Sequence, residues 1–272
     1  MARPLWFVKL LKKTFPSIKL LAKLSNLPIL RNIFDLLLLK GDDIIYLPKD
    51  TVIKINQSVD QPDNYILPKR VLEYFIEKAN YRWIMNFCIC RSSMKCEDYP
   101  IELGCLFLGK SVLEINPALG RLVSKQEALD HIKNCSKAGL VHLIGRNLLD
   151  KQWLGIKEGK KLLTICNCCP CCCLWRIVPI LHPSLSKKVK KIPGVKVVIT
   201  EKCIGCGTCM KDICFVNAIQ MRENKAYITD QCRACGRCME ICPQNAIELI
   251  IENDDYVNRA IEKIETLVNV ED

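Results

Sequence analysis

Residues 203–219 read C-I-G-C-G-T-C-M-K-D-I-C-F-V-N-A-I, and residues 232–247 read C-R-A-C-G-R-C-M-E-I-C-P-Q-N-A-I. Each stretch spaces three cysteines two residues apart and adds a fourth: Cys203, Cys206, Cys209 and Cys214, then Cys232, Cys235, Cys238 and Cys242. Both carry Gly after the second cysteine, Met after the third, and Asn-Ala-Ile beginning three residues beyond the last. Such self-similarity marks a duplicated structural unit. The spacing suits an iron–sulfur cubane, because three neighbouring thiolates wrap three iron corners and the fourth ligand comes from further away. In a paired arrangement the fourth ligand crosses over. Cys203, Cys206, Cys209 and Cys242 then form one set, and Cys232, Cys235, Cys238 and Cys214 the other. Zinc competes for thiolates, but structural zinc sites show two ligand pairs divided by a longer gap.

On these motifs, residues 196–250 resemble the bacterial two-cluster [4Fe–4S] ferredoxins. The resemblance implies a small α+β fold with pseudo-two-fold symmetry and low-potential one-electron transfer. The first run departs from the family pattern: four residues separate Cys209 from Cys214, and Phe215 stands where the family usually has proline. The second run keeps three residues and Pro243.

Of the 19 cysteines, 11 lie outside this segment. Cys88, Cys90, Cys96 and Cys105 form one group, and Cys166, Cys168, Cys169, Cys171, Cys172 and Cys173 another. Thiols this crowded oxidise readily unless metal or burial holds them. Pro170 interrupts the second group, so its flanking thiols are expected to project in different directions. The two groups are expected to converge on at least one further iron–sulfur cluster, with zinc as the alternative metal. Together with Gly104, Cys105 and Gly109 they are similar to cysteine-rich regions fused to ferredoxin modules in anaerobe proteins. Cys135 reads as a packed thiol. Arg91 reads as a surface arginine, with hydrogen bonding to a cluster sulfur as the alternative. His131, His142 and His182 read as core or surface residues rather than ligands.

At 272 residues and half apolar, the chain has room for a core beyond the cysteine motifs and is no disordered tail. Residues 1–13 interrupt their apolar side chains with lysine and do not read as a secretory leader. Reduced, metal-bound thiols in a cytoplasmic, anaerobic setting are the expectation. The net charge of +11 is uneven. Residues 1–33 carry Arg3, Lys9, Lys12, Lys13, Lys19, Lys23 and Arg31 with no acidic side chain, and Lys187, Lys188, Lys190, Lys191 and Lys196 form a second run. Solvated faces that offset cluster charge, an acidic redox partner, or peripheral contact with the inner membrane face through residues 1–40 are all compatible with this. Nucleic acid is not expected, since no recognition motif accompanies the charge.

Near-helical spacing of apolar residues runs through 5–39. Further helices are expected from Pro68, with Val71, Leu72, Phe75, Ile76 and Ala79 on one face, and from Ser124, where Glu127 completes a capping box and Gly139 ends the helix. Asp254 is expected to cap a last helix. Strands are expected at 51–56, 140–144 and 161–165. The chain divides into a basic amphipathic region (1–66), a cysteine-rich domain (67–185), a two-cluster ferredoxin domain (186–252) and a C-terminal helix (253–272). The expected class is α+β: a two-cluster ferredoxin-like module following a mixed helical and α/β cysteine-rich domain. No G-x-G-x-x-G fingerprint supports nucleotide binding. The expected function is an electron carrier or redox-complex subunit with no catalytic residue assigned. The alternatives are reduction of a substrate such as a disulfide at the upstream cluster, or assembly of a metalloenzyme.

Overall fold

The computed structural model describes residues 2–49, 69–251 and 255–272, together with the backbone of 54–55. In chain order its strands are β1 (Asp43–Tyr46), β2 (Lys54–Ile55), β3 (Arg82–Met85), β4 (Leu106–Leu108), β5 (Gly120–Leu122), β6 (Val141–Arg146), β7 (Leu163–Cys168), β8 (Val189–Lys191), β9 (Val195–Ile199), β10 (Ile219–Arg222), β11 (Lys225–Ile228) and β12 (Ile247–Ile251). The helices are α1 (Leu5–Thr14), α2 (Ile18–Leu24), α3 (Pro28–Phe34), α4 (Lys69–Lys78), α5 (Ile89–Met94), α6 (Lys125–Lys137), α7 (Leu148–Leu154), α8 (Pro183–Ser186), α9 (Arg237–Glu240) and α10 (Tyr256–Glu265). The class is mixed α+β. Thr51, Val52, Ile53, Asn56, Pro68 and Asp254, all named in the sequence reading, lie outside the described residues. The described N-cap of α10 is Asp255.

Seven strands form one sheet in the order β5-β3-β4-β7-β6-β1-β8. Every neighbouring pair is antiparallel except β1 and β8, which run parallel with Ile44 opposite Val189. The helix expected from Ser124 and the strands expected at 140–144 and 161–165 therefore belong to the middle of a wider sheet. Helix α6 and strands β6 and β7 are present, but five further strands of three or four residues each flank them. Strands that short carry too little periodicity to read. The capping box of α6 is formed: Ser124 Oγ accepts from the Glu127 amide, and the Glu127 carboxylate accepts from the Ser124 amide.

Alternation along the strands sends side chains to two different cores. Ile45, Ile144, Leu163, Ile165, Leu106 and Leu108 face α4, α6 and α10. On the opposite face, Ile44, Tyr46, Val141, Leu143 and Cys168 pack with Trp175, and Trp83, Met85 and Phe107 pack with Trp153 of α7 and Val8 of α1. The cysteine-rich site lies on this second face.

Residues 195–251 form a second body. Strands β9 and β12 pair antiparallel with Ile199 opposite Ile247, and β2 joins β12 in parallel. Between them β10 and β11 make a hairpin. Its turn residues Glu223 and Asn224 both have positive φ, 50° and 59°, as a type I′ turn demands. The two bodies exchange elements across the boundaries at 66 and 186: β1 and β8 sit in the large sheet, β2 in the small one. Helix α10 returns to α4, where Tyr74 and Lys78 both donate to Glu265. The chain end is held by Asn80 N–H on Val270 O and Lys110 N–H on Asp272 O. Among the described residues no helix is long and apolar enough to cross a membrane.

Candidate metal centres

The repeated motif has a repeated geometry. The residue before the second cysteine has positive φ in both halves (Gly205 71°, Ala234 52°), as does the residue after it (Gly207 71°, Gly236 77°). Left-handed residues alternating with right-handed ones turn successive amides toward the same concavity, which suits an anionic thiolate cluster. At Gly205 a Cβ would lie 2.1 Å from Asn224 O, so glycine is required by contact as well as by conformation. The shared Asn-Ala-Ile is explained in the same way. Asn217 and Asn245 have φ of 51° and 47°, a conformation Asn tolerates well. Each turns the next amide inward, so that Ala218 N–H donates to Cys214 Sγ at 3.2 Å and Ala246 N–H to Cys242 Sγ at 3.3 Å. Ala226 and Ala234 donate likewise to Cys203 and Cys232.

The structure brings Cys203, Cys206, Cys209 and Cys242 around one small cavity. Cys214 lies instead against Cys232, Cys235 and Cys238, whose thiols burial pushes up, with the neighbouring thiol of Cys214 adding to the rise. The extra residue of the first run is absorbed at Asp212, which takes φ 55°. Phe215, in the place of the family's proline, is buried edge-on against Tyr46 at 5.7 Å. The site around Cys232 contains polar groups with no hydrogen-bond partner among the described residues: Arg233 Nε, Arg237 Nε and Tyr46 Oη are all buried and orphaned. Such orphans are costly unless a ligand acceptor completes them. Sulfur of a [4Fe–4S] cluster is such an acceptor, so the residues present fit the group.

Upstream, ten thiols fall into two sets. Cys88, Cys90, Cys105, Cys166, Cys168 and Cys173 line a cavity of about 500 Å³, and Cys169 of the other set reaches its wall as well. Strand β7 presents Cys166 and Cys168 to it from one face, two residues apart. Cys88 and Cys90 come from the start of α5, and Cys105 precedes β4. Phe7 and Leu11 of α1 line it together with Phe15. The thiols are electrostatically linked. Hydrogen bonding with Cys90, helped by the charge of Arg91, holds Cys88 down to about 7 against burial. Hydrogen bonds from Cys105 and Cys168, then Trp175, hold Cys166 well below its ordinary value. The second set, Cys96, Cys169, Cys171 and Cys172, gathers at the end of β7 with all four sulfurs within 4.8 Å of one another. Of the run 166–173, Cys169, Cys171 and Cys172 gather with Cys96 on both sides of Pro170, which begins a turn.

Arg91 corrects the sequence reading. It is fully buried, not a surface residue, and it donates to backbone rather than to sulfur. Its Nε reaches Pro100 O at 2.8 Å, Nη1 reaches Asn167 O at 2.8 Å, and Nη2 binds Leu103 O. Cys88, Cys105, Cys168 and Cys169 surround its charge, so one guanidinium faces both thiol sets. His131 and His142 are core groups, and His182 is half-buried. His142 lies directly opposite Asn167 and binds its Oδ1 at 2.8 Å and Ser136 Oγ at 2.8 Å, and burial lowers its pKa to about 4. His131 binds Gly104 O at 2.9 Å, and His182 accepts from Ser184 N–H at the start of α8. Cys135 is buried, its thiol pushed up to about 12 by that burial.

Three groups at the site carry no signal in the pattern of cysteines. Tyr46 lies buried among Cys173, Cys168 and Cys235, and burial first, then those thiols, push its phenol pKa far up. Asp150 accepts from Trp153 Nε1, Asn147 Nδ2 and Thr164 Oγ1 beside the 500 Å³ cavity, and burial raises it to about 8. Arg237, within the second run, donates to Gly139 O and to Tyr99 Oη, joining the two bodies.

Residues 226–248 match the 4Fe-4S binding domain family. The matched stretch contains Cys232, Cys235, Cys238 and Cys242. The chain is an iron–sulfur protein, with at least one [4Fe–4S] cluster and an electron-transfer role. No curated protein matches the chain. No solved structure matches it either.

Proposed function

We propose that this chain is a multi-centre electron-transfer protein of an anaerobic redox system. Its ferredoxin-type segment holds two [4Fe–4S] clusters, on Cys203, Cys206, Cys209 and Cys242 and on Cys232, Cys235, Cys238 and Cys214. The 500 Å³ basin holds a further iron–sulfur cluster on thiols drawn from Cys88, Cys90, Cys105, Cys166, Cys168 and Cys173. Bound clusters supply reversible one-electron chemistry over a wide range of potential. The chain's residues supply the amides that face the thiolates, the apolar walls that exclude water, and the buried donors Tyr46, Arg233 and Arg237.

The observation that carries this reading is the continuity between the two halves. Cys168 and Cys173 of the basin share one apolar cluster with Phe215 and Val216, and Cys214, Cys232 and Cys235 pack against that same cluster. Tyr46 stands in it with a hydroxyl that has no hydrogen-bond partner among the described residues, and thiols of both halves, Cys168, Cys173 and Cys235, add to the rise that burial gives its pKa. A separate structural zinc domain fused to a ferredoxin would have no need of a dry, thiol-lined junction.

The test is iron and acid-labile sulfide per chain in anaerobically purified protein, with reductive titration. Two cubanes account for about eight irons and the additional cluster raises the total to about twelve or more. Cys88→Ser combined with Cys166→Ser should lower iron and sulfide together while leaving the ferredoxin-type signal intact. About eight irons, unchanged by that double substitution, would defeat the basin cluster.

The N-terminal helices support a location for this activity. Trp6, Leu10, Leu20, Leu27, Ile29, Leu36 and Leu37 are exposed on them, interspersed with basic residues only as far as Asp35. The partner with this chemistry is an anionic lipid surface, which takes exposed apolar side chains and basic charge together.

A further inference from the structure

Cys96, Cys171 and Cys172 do not line the basin, and Cys169 lines it while standing with them; the geometry of these four differs in kind from the other thiol sets. All four sulfurs lie within 4.8 Å of one another, and no other group of three or more Cys, His, Asp or Glu ligand atoms among the described residues is so compact. The ferredoxin-type quartets are wider, as they must be if a cage of iron and sulfide is to lie between the thiolates. A single tetrahedral ion with bonds of about 2.3 Å to sulfur needs neighbouring thiolates only about 4 Å apart. Cys96 Sγ and Cys171 Sγ are 3.5 Å apart.

We propose that Cys96, Cys169, Cys171 and Cys172 form a mononuclear tetrathiolate centre that binds one zinc or iron ion and contains no inorganic sulfide. The local backbone is built for it. Cys172 N–H donates to Cys169 Sγ at 3.4 Å, so an amide three residues along stabilises a thiolate, as expected of a turn that ligates metal. Charged side chains hold the loop as well. Arg176 donates to Pro170 O and to Asp212 O, and Arg91 brings its positive charge beside Cys169. The ion closes a link between residues far apart in sequence, Cys96 on one side and Cys169, Cys171 and Cys172 on the other. Tyr99, three residues past Cys96, is the group that Arg237 of the ferredoxin-type segment binds. The centre therefore fastens the surface on which the second body docks. Zinc and iron share the preference for four thiolates, and elemental analysis names which is bound.

The first measurement uses the unaltered, anaerobically purified full chain: zinc, iron and acid-labile sulfide per chain, with X-ray absorption at the zinc edge. The expected result is either about one zinc surrounded by four sulfurs at about 2.3 Å, or iron exceeding sulfide by about one. Iron equal to sulfide with no zinc overturns the proposal. The second measurement repeats the analysis on Cys96→Ser combined with Cys171→Ser. Loss of about one metal ion with sulfide unchanged supports the centre. A matching loss of iron and sulfide would make it a cubane, and unchanged metal would make these thiols free or disulfide-bonded; either overturns it. This site stands apart from the electron-transfer reading, whose failure would show as missing sulfide rather than as a missing single ion.

Discussion

Arg91 is the residue on which both upstream thiol sets depend. Three carbonyls from separate segments converge on its guanidinium, those of Pro100, Leu103 and Asn167. A planar fork with several donors can satisfy all three at once, whereas a lysine ammonium in the same volume is a point donor that cannot span them. Each buried carbonyl left without a donor costs about 1–3 kcal/mol. Arg91→Lys is expected to destabilise the metal-loaded protein by roughly 2–5 kcal/mol, measured by chemical denaturation, and to reduce metal retention in both upstream sets. Retained stability with retained metal would remove Arg91 from this role. In the stretch C-I-C-R-S-S nothing distinguishes this arginine from a solvated one. Its partners lie 9, 12 and 76 residues away, and only folding brings them together. The ferredoxin-type repeat was legible for the opposite reason: its conformational demands at Gly207, Gly236, Asn217 and Asn245 are local, and each is written in the residue that meets it.

At the scale of elements, the N-terminal helices divide their faces between two environments. In α1, Val8 is buried and Phe7 and Leu11 line the basin, while Trp6 is 65 % exposed. Lys12 lies over the Phe87 ring at 3.6 Å, its stem covering apolar surface. Lys9, Lys13, Lys19 and Lys23 face solvent. Basic residues near an anionic surface each contribute about 1 kcal/mol, an attraction that salt screens. The protein is expected to float with anionic vesicles at low salt and to lose most of that binding at high salt. Lys9, Lys13 and Lys19 changed together to Gln should weaken it about a hundredfold or more at low salt, with the metal content unchanged. Equal binding to neutral vesicles would show that charge plays no part. Helical periodicity here was readable because the apolar spacing recurs over several turns and Pro16 and Pro28 punctuate it. The division of faces was not readable, because the same leucine spacing serves a core or a membrane.

For the molecule as a whole, the two bodies hold each other by exchanged elements. Helix α10, which follows the ferredoxin-type segment in sequence, buries Val257, Ala260 and Ile264 in the core shared with α4 and α6. Ile264 is wholly buried, and Ile264→Ala is expected to cost about 2–5 kcal/mol. Because that core spans both bodies, loss of cluster absorbance and loss of helical signal should shift together in denaturant, as one transition. Two separated transitions, only one of them moved, would show that the bodies unfold independently. This mutual clasp could not be read in the chain. The boundaries drawn at 66 and 186 follow composition, whereas the pairing of β1 with β8 and of β2 with β12 depends on long-range register.

Only Ile192, Pro193 and Gly194 separate β8 of the large sheet from β9 of the small one, and Ile192 is fully buried. At this described connection there is no tether on which one body could swing against the other. A carrier whose halves are loosely joined must search for its docked arrangement before each exchange, and it slows as the solvent thickens. In the multi-centre carrier proposed above that search is completed by folding, so internal equilibration is expected to be indifferent to viscosity and to protein concentration. Any dependence of turnover on either quantity then reports the encounter with an external partner alone.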